Sequence, residues 1–284
     1  MTPFVWNASL PRSGSTLLQT IVAQNEKHHA SPTSGIAELV VMLRNRWAEI
    51  PEFCSQGLSN CAPSIASAIR GFIEGYYRQA LQNKKTVWDK SRGWLGYYRL
   101  LDEIFGEQQK IVVCVRDVRE IVTSFEMLFR SNSLIKKDPA GPALYESITI
   151  EGRVSHLLAL DSVVGQSIAM LRDCLHSDPD RLFIVPYNDL CDNPQETIDL
   201  LMGRLGLQSF AVSQTMYHFI AKQDDSAWGL SGLHDVRPVV ERYPDKWPAV
   251  LPQKLADWIA VEYADINSLA KNHNKTHGFY QSTF

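Results

Sequence analysis

No run of 18 apolar residues occurs in the 284-residue chain, whereas a membrane-crossing helix takes about 20, so no membrane span is expected. An excess of one charge is missing too. Lys and Arg number 28 against 31 Asp and Glu, a net −3, with a pI of about 6.2. With no basic run, nucleic acid held on a basic face is excluded as an expectation. Cysteine is sparse: Cys54, Cys61, Cys114, Cys174 and Cys191 are odd in number and scattered. None has metal-like spacing to His, and a chain this long does not need disulfide staples. Reduced thiols and a cytoplasmic protein are the expectation. The first residues hold no basic stretch and run almost at once into Phe4-Val5-Trp6, so no signal peptide is expected. Repeats and long linkers are also lacking, so one domain over residues 1–284 is expected.

What is present begins at Ser9-Leu10-Pro11-Arg12-Ser13-Gly14-Ser15-Thr16-Leu17-Leu18. It follows an apolar strand and opens a segment with helical spacing. Strand, small-residue turn and helix together form a phosphate-binding layout, because turn and helix N-terminal amides converge on an anion that the helix dipole favours. Aligned on Gly14 and Thr16, a Walker A loop would need Gly at Ser9 and Lys at Ser15. The missing lysine speaks against a nucleoside triphosphate, and Arg12 brings the positive charge into the loop instead. A second site follows Ile111-Val112-Val113-Cys114-Val115, a run that reads as a buried parallel strand. Arg116 stands at its carboxyl end, where ligands of open α/β sheets bind. Asp117 and Glu120 read as a capping box, which places Ser124 on the second turn of the next helix. Guanidinium plus hydroxyl suits a phosphate. Two anion sites imply a ligand phosphorylated at two separate points.

These motifs resemble those of sulfotransferases that use 3′-phosphoadenosine-5′-phosphosulfate (PAPS), and look closer to the tyrosylprotein type than to the cytosolic phenol type. The eight-residue spacing from Arg116 to Ser124 is that of the family's 3′-phosphate site. Leu182 to Leu190, with Asn193-Pro194 and Leu205-Gly206-Leu207, is similar to a third family block, and Leu230-Ser231-Gly232 with Val236-Arg237-Pro238 and Trp247 to the segment that closes over the nucleotide. The resemblance implies a P-loop-type three-layer α/β/α sandwich with a central parallel sheet. It implies 5′-phosphosulfate binding by amides around Ser13, Gly14, Ser15 and Thr16, with Arg12 and Lys90 neutralising the leaving oxygen. Arg116, Ser124 and Arg237 would hold the 3′-phosphate, and Tyr187 would face the adenine. PAPS would be the co-substrate, no metal would be needed, and the acceptor would be a small molecule, carbohydrate, lipid or peptide, with specificity set by residues 40–80 and 131–147. The base that takes the acceptor proton is assigned first to Glu38, with Asp89 and His156 as alternatives. A kinase with a degenerate P-loop and a non-catalytic nucleotide-binding module remain open beside this reading.

Alternation of apolar runs predicts strands at about 4–10, 86–88, 110–116 and 182–187. Helices are expected at about 15–26, 35–50, 63–82, 94–105, 117–130, 149–176, 194–205 and 252–271.

Overall fold

Successive residues of a strand face opposite sides of its sheet, and in this chain the two sides are two separate cores. The computed structural model describes residues 3–131, 147–215, 223–229, 231–236 and 238–271. In β1 (Phe4–Asn7), Phe4 and Trp6 enter one core and Val5 the other. In β4 (Ile111–Val115), Ile111, Val113 and Val115 join the first, Val112 and Cys114 the second. With β2 (His28–Thr33), β3 (Thr86–Lys90) and β5 (Leu182–Pro186) these form a five-stranded sheet of order β2-β3-β1-β4-β5. Every pairing is parallel. Crossover helices therefore have to cover both faces. Helices Val118–Ser131 and Val163–Ser177 and α2 (Ile36–Arg46) bury Ile121, Val122, Ile168, Leu171 and Val40 against the first face. On the second face α1 (Ser15–Val22) and helix Pro194–Leu205 bury Leu18, Ile21, Ile198 and Met202. This is the expected three-layer α/β/α sandwich of the P-loop type.

Strand β2 is absent from the sequence reading. His28-His29-Ala30-Ser31-Pro32-Thr33 has neither alternation nor an apolar run, and Pro32 lacks a ladder donor. The strand tolerates proline because it lies at the sheet edge, where one side needs no partner. Its register shifts between Ala30 and Thr33, and there the Ser31 hydroxyl accepts the Lys90 amide at 3.0 Å.

The long helix expected at 149–176 is two, Ile150–Leu158 and Val163–Ser177. Gly165 sits on the preceding carbonyls: a Cβ there would be 2.3 Å from Leu158 O and 2.1 Å from Ala159 O. A window of this region has mean hydropathy 1.4 and is 50% buried, with Val154, Leu157, Val164 and Ile168 in the first core. Its apolarity is that of a core element. Arg153 donates to both oxygens of buried Glu126 at 2.8 and 2.7 Å, which ties helix Ile150–Leu158 to Val118–Ser131.

The closing helix divides at Tyr263 into Gln253–Glu262 and Ala264–Leu269, and a short helix, Tyr187–Asp192, follows β5.

Candidate active site at the strand ends

The carboxyl ends of β1 and β3 lie side by side because Asn7 pairs with Lys90, and the loop after β1 runs on along β4, its Ala8 and Leu10 amides donating to Val112 O and Cys114 O. Behind them buried polar groups hold the loop after β1. Asn7 Oδ1 accepts the Ser9 hydroxyl at 2.5 Å, Ser9 Oγ accepts the Cys114 amide at 2.8 Å, and Gln19 Nε2 donates to Trp88 O at 2.9 Å and Ser31 O at 3.0 Å. Ser9, at the place of a Walker glycine, thus bolts the loop to β4.

The loop itself is bent by residues with positive φ. Arg12 has φ 58° and Gly14 has φ 97°. Glycine is required at 14 twice over, since a Cβ would lie 2.7 Å from Tyr187 Cδ2. α1 begins at Ser15 with no capping side chain. Among the described residues no backbone acceptor takes the amides of Ser13 to Leu17, so these donors are available to an anion. The Ser13 side chain is not among them. It is fully buried, and its hydroxyl lies 2.6 Å from Leu10 O and 2.7 Å from Cys114 O.

A cavity of about 990 Å³ opens over this loop. Of the residues expected from sequence, Arg12, Gly14, Ser15, Thr16, Glu38, Lys90, Arg116 and Tyr187 line it. Ser13 and Ser124 are not part of its wall. Ser124 Oγ instead accepts Arg12 Nε at 2.9 Å. Arg237 lies outside the described residues. Of the regions expected to select the acceptor, 132–146 also lies outside them.

Lys90 ends β3 with 8% of its surface exposed and donates to Thr16 Oγ1 at 2.9 Å. Burial first, then the positive charges of Arg92 and Arg12, lower its pKa to about 7, while Cys114 and Asp225 act the other way. Arg116 stacks over the Tyr187 ring at 4.3 Å and donates to Arg12 O at 3.3 Å and Glu120 Oε2 at 2.7 Å. Asp117 caps the following helix through the Arg119 amide at 2.9 Å. Glu120 does not complete a capping box. Its Oε1 accepts the Lys246 and Trp247 amides at 2.7 and 2.9 Å, so one carboxylate joins Arg116 to the C-terminal region.

The alternatives for the base separate clearly. Asp89 is fully buried. It accepts from Tyr77 Oη and, at 2.5 Å, from Trp94 Nε1, and burial raises its pKa. It faces the first core, away from the cavity. His156 lies on helix Ile150–Leu158 and is not in the cavity wall. Glu38 is in the wall, exposed, in the first turn of α2.

One pair escaped the sequence reading. His234 lines the cavity, with Nδ1 2.6 Å from Asp225 Oδ1 and Nε2 3.1 Å from Thr33 Oγ1. Burial, then Lys90, lowers its pKa, against the pull of Asp225. The carboxylate on Nδ1 assigns the proton to that nitrogen and leaves the lone pair on Nε2. Nothing periodic marks these residues. The nearest signal is the 231–238 block, whose Leu233 carbonyl accepts Arg12 Nη1. Leu233, His234, Asp235 and Val236 all line the cavity. No group of three or more His, Cys, Asp and Glu fit to hold a metal occurs among the described residues.

A model of the sulfotransferase family matches residues 3–211. No curated protein sequence matches the chain. Among solved structures, the sulfotransferase domain of a Synechococcus olefin synthase aligns at TM-score 0.52 and 21% identity, over 93% of this chain and 94% of that one. The sulfotransferase domain from the curacin biosynthetic pathway aligns at 0.52 and 16%, over 92% and 96%. A sulfotransferase from Alicyclobacillus acidocaldarius aligns at 0.51 and 12%, over 95% and 94%. At these identities the structures speak for the fold.

Proposed function

The chain belongs to the sulfotransferase family, and on that premise we propose that it transfers the sulfuryl group of PAPS to a hydroxyl or amine of an acceptor bound in the same cavity. The observation that carries this reading is the set of amides from Ser13 to Leu17 with no acceptor among the described residues, flanked by Lys90 and Arg116 with no Walker lysine. An anion there meets N–H donors, one amine and two guanidinium groups. That inventory fits a phosphosulfate at the loop and a separate phosphate at Arg116.

PAPS supplies an activated sulfuryl group whose bond to phosphate breaks as the acceptor oxygen bonds to sulfur. The chain's residues have four tasks. Amides from Ser13 to Thr16 hold the phosphate and stabilise negative charge as it grows. Lys90, when protonated, donates to the leaving phosphate oxygen. Arg116, kept in place by Glu120 and Tyr187, binds the 3′-phosphate. Nε2 of His234 takes the acceptor proton, with Asp225 holding the ring and stabilising its charged form. Glu38 is the second candidate for this role, because no described partner orients it.

Thermal shift tests the nucleotide, since a ligand that binds only the native state raises the melting temperature. 3′-Phosphoadenosine-5′-phosphate is expected to stabilise the wild type, 5′-AMP to do so less, and Arg116→Ala to abolish the difference. Stabilisation by Mg-ATP alone would overturn the reading in favour of a kinase. For the base, His234→Ala is expected to lower kcat about 100-fold or more with nucleotide affinity unchanged, and Glu38→Gln to leave kcat within a few-fold; the reverse ranking would return the role to Glu38.

A further inference from the structure

Arg92 follows β3 by two residues, in the turn Arg92–Leu95, and lines the cavity. Its side chain is open, but what it opens onto is this cavity, and the surrounding protein lowers its pKa by desolvation. No hydrogen bond or ion pair reaches its guanidinium among the described residues. The other arginines at the loop differ: Arg12 is held by Ser124 and Leu233, Arg116 by Glu120 and Arg12. A guanidinium with no partner, lining a ligand cavity, is placed to pair with an anion.

Apolar and aromatic side chains line the cavity with it, beside Glu38 of α2. Val41 comes from α2, Tyr97 from just past the turn, and Val163 and Met170 from helix Val163–Ser177. Both helices pack on the turn. Gln166 adds an amide side chain to the same wall. This part of the cavity lies on the β3 side of the loop, opposite Arg116 in the strand order, so it is separate from the second phosphate position. Two residues of extended chain span at most about 7 Å, so the backbone of Arg92 is close to that of Lys90.

Resting on the sulfotransferase reading, we propose that Arg92 selects the acceptor, and that the acceptor is an apolar alcohol or phenol bearing a carboxylate a few bonds from its hydroxyl. The carboxylate forms the ion pair that Arg92 lacks. The apolar body lies against Val41, Val163 and Met170. The hydroxyl is thereby presented toward Lys90 and His234.

The test uses matched acid and ester pairs: 4-hydroxyphenylacetate with its methyl ester, and 3-hydroxyoctanoate with its methyl ester. Binding is measured by calorimetry on wild type, Arg92→Gln and Arg92→Lys, with and without 3′-phosphoadenosine-5′-phosphate. Sulfuryl transfer from PAPS is followed in parallel. At least one acid is expected to be preferred to its ester. Arg92→Gln is expected to reduce that preference by about 10-fold or more, the scale for losing a hydrogen bond to a charged group. Arg92→Lys is expected to restore part of it. Nucleotide affinity is not expected to fall in either variant, and Arg92→Gln, which removes a charge that lowers the Lys90 pKa, should raise it above pH 7. Acids that never outcompete their esters overturn the proposal. So does an Arg92→Gln loss equal for acids and esters, or a loss of nucleotide affinity, which would move Arg92 to the donor. Failure of the wild type to bind the nucleotide would instead sink the sulfotransferase reading, and the acid–ester comparison on the free protein would still decide the role of Arg92.

Discussion

Raising the pH above 7 is expected to weaken binding of 3′-phosphoadenosine-5′-phosphate through Lys90 alone. The free protein holds this amine with a pKa of about 7, because burial and then Arg92 and Arg12 disfavour the charged form. An anion at the amides beside Thr16, whose hydroxyl is 2.9 Å from Nζ, restores an opposite charge and draws the pKa back toward 10.5. At pH 8 only about a tenth of the free protein carries the proton, so binding takes up about 0.9 proton. Affinity then falls about fivefold from pH 7 to 8 and about tenfold from pH 8 to 9. The ligand's phosphates, with second pKa values near about 6, are ionised throughout that range. Nearby groups do not interfere, since His234 has a lowered pKa and Cys114 is pushed up to about 12. Calorimetry at pH 8 in two buffers of different ionisation enthalpy reads the proton uptake directly. Lys90→Met should bind more weakly, with no uptake and a flat pH profile. Stability supplies a ligand-free check. The folded pKa lies below the unfolded one, so the cost of the buried charge is present in full below about pH 7 and disappears by about 10.5. Lys90→Met should therefore raise Tm most in acid and progressively less toward pH 10.5. Uptake near zero in the wild type, or the same pH slope in Lys90→Met, refutes the reasoning.

Two further predictions concern groups whose roles the fold separates. Glu120→Ala strips partners from Arg116 and from the Lys246 and Trp247 amides, and should cost about 3–5 kcal/mol, or about 6 °C or more in Tm. Arg116→Ala leaves Glu120 its two amide donors, so about 1 kcal/mol is expected, with nucleotide affinity down about 30-fold or more; equal losses of Tm in the two variants would contradict this division. Asp89→Ala orphans the Tyr77 hydroxyl and the Trp94 ring N–H, for about 2–6 kcal/mol by denaturant unfolding. Asp89→Asn should keep sulfuryl transfer within a few-fold, and a collapse of kcat with intact folding would restore Asp89 as a base.

The legible parts of the site are those made by chain neighbours. A strand, a small-residue turn and a helix lie in sequence from Phe4 to Val22, and their hydrogen bonding follows from local geometry. Arg116 directly follows five buried residues, so its position at a strand end could be read from the run itself. The same holds for Lys90 at the carboxyl end of β3. Strand β2 could not be read, because its stability comes from pairing with β3 and its proline is allowed only by its edge position.

Tertiary structure decided the partners. Glu120 looked like half of a local cap, but the amides it accepts are 126 and 127 residues away. Arg12 meets Leu233 across 221 positions, and His234 meets Thr33 across 201. Asp225 and His234 sit in a segment without regular periodicity, so only folding against the phosphate loop makes them a pair that faces the cavity. Arg92 is a residue of an ordinary turn in the sequence. Among the described residues its charge has no ion-pair partner, and it lines the cavity because α2 and helix Val163–Ser177 pack on its turn. Local hydrogen bonding and apolar periodicity are properties of neighbouring residues and so are written in the sequence; desolvation and long-range pairing arise only when distant segments meet.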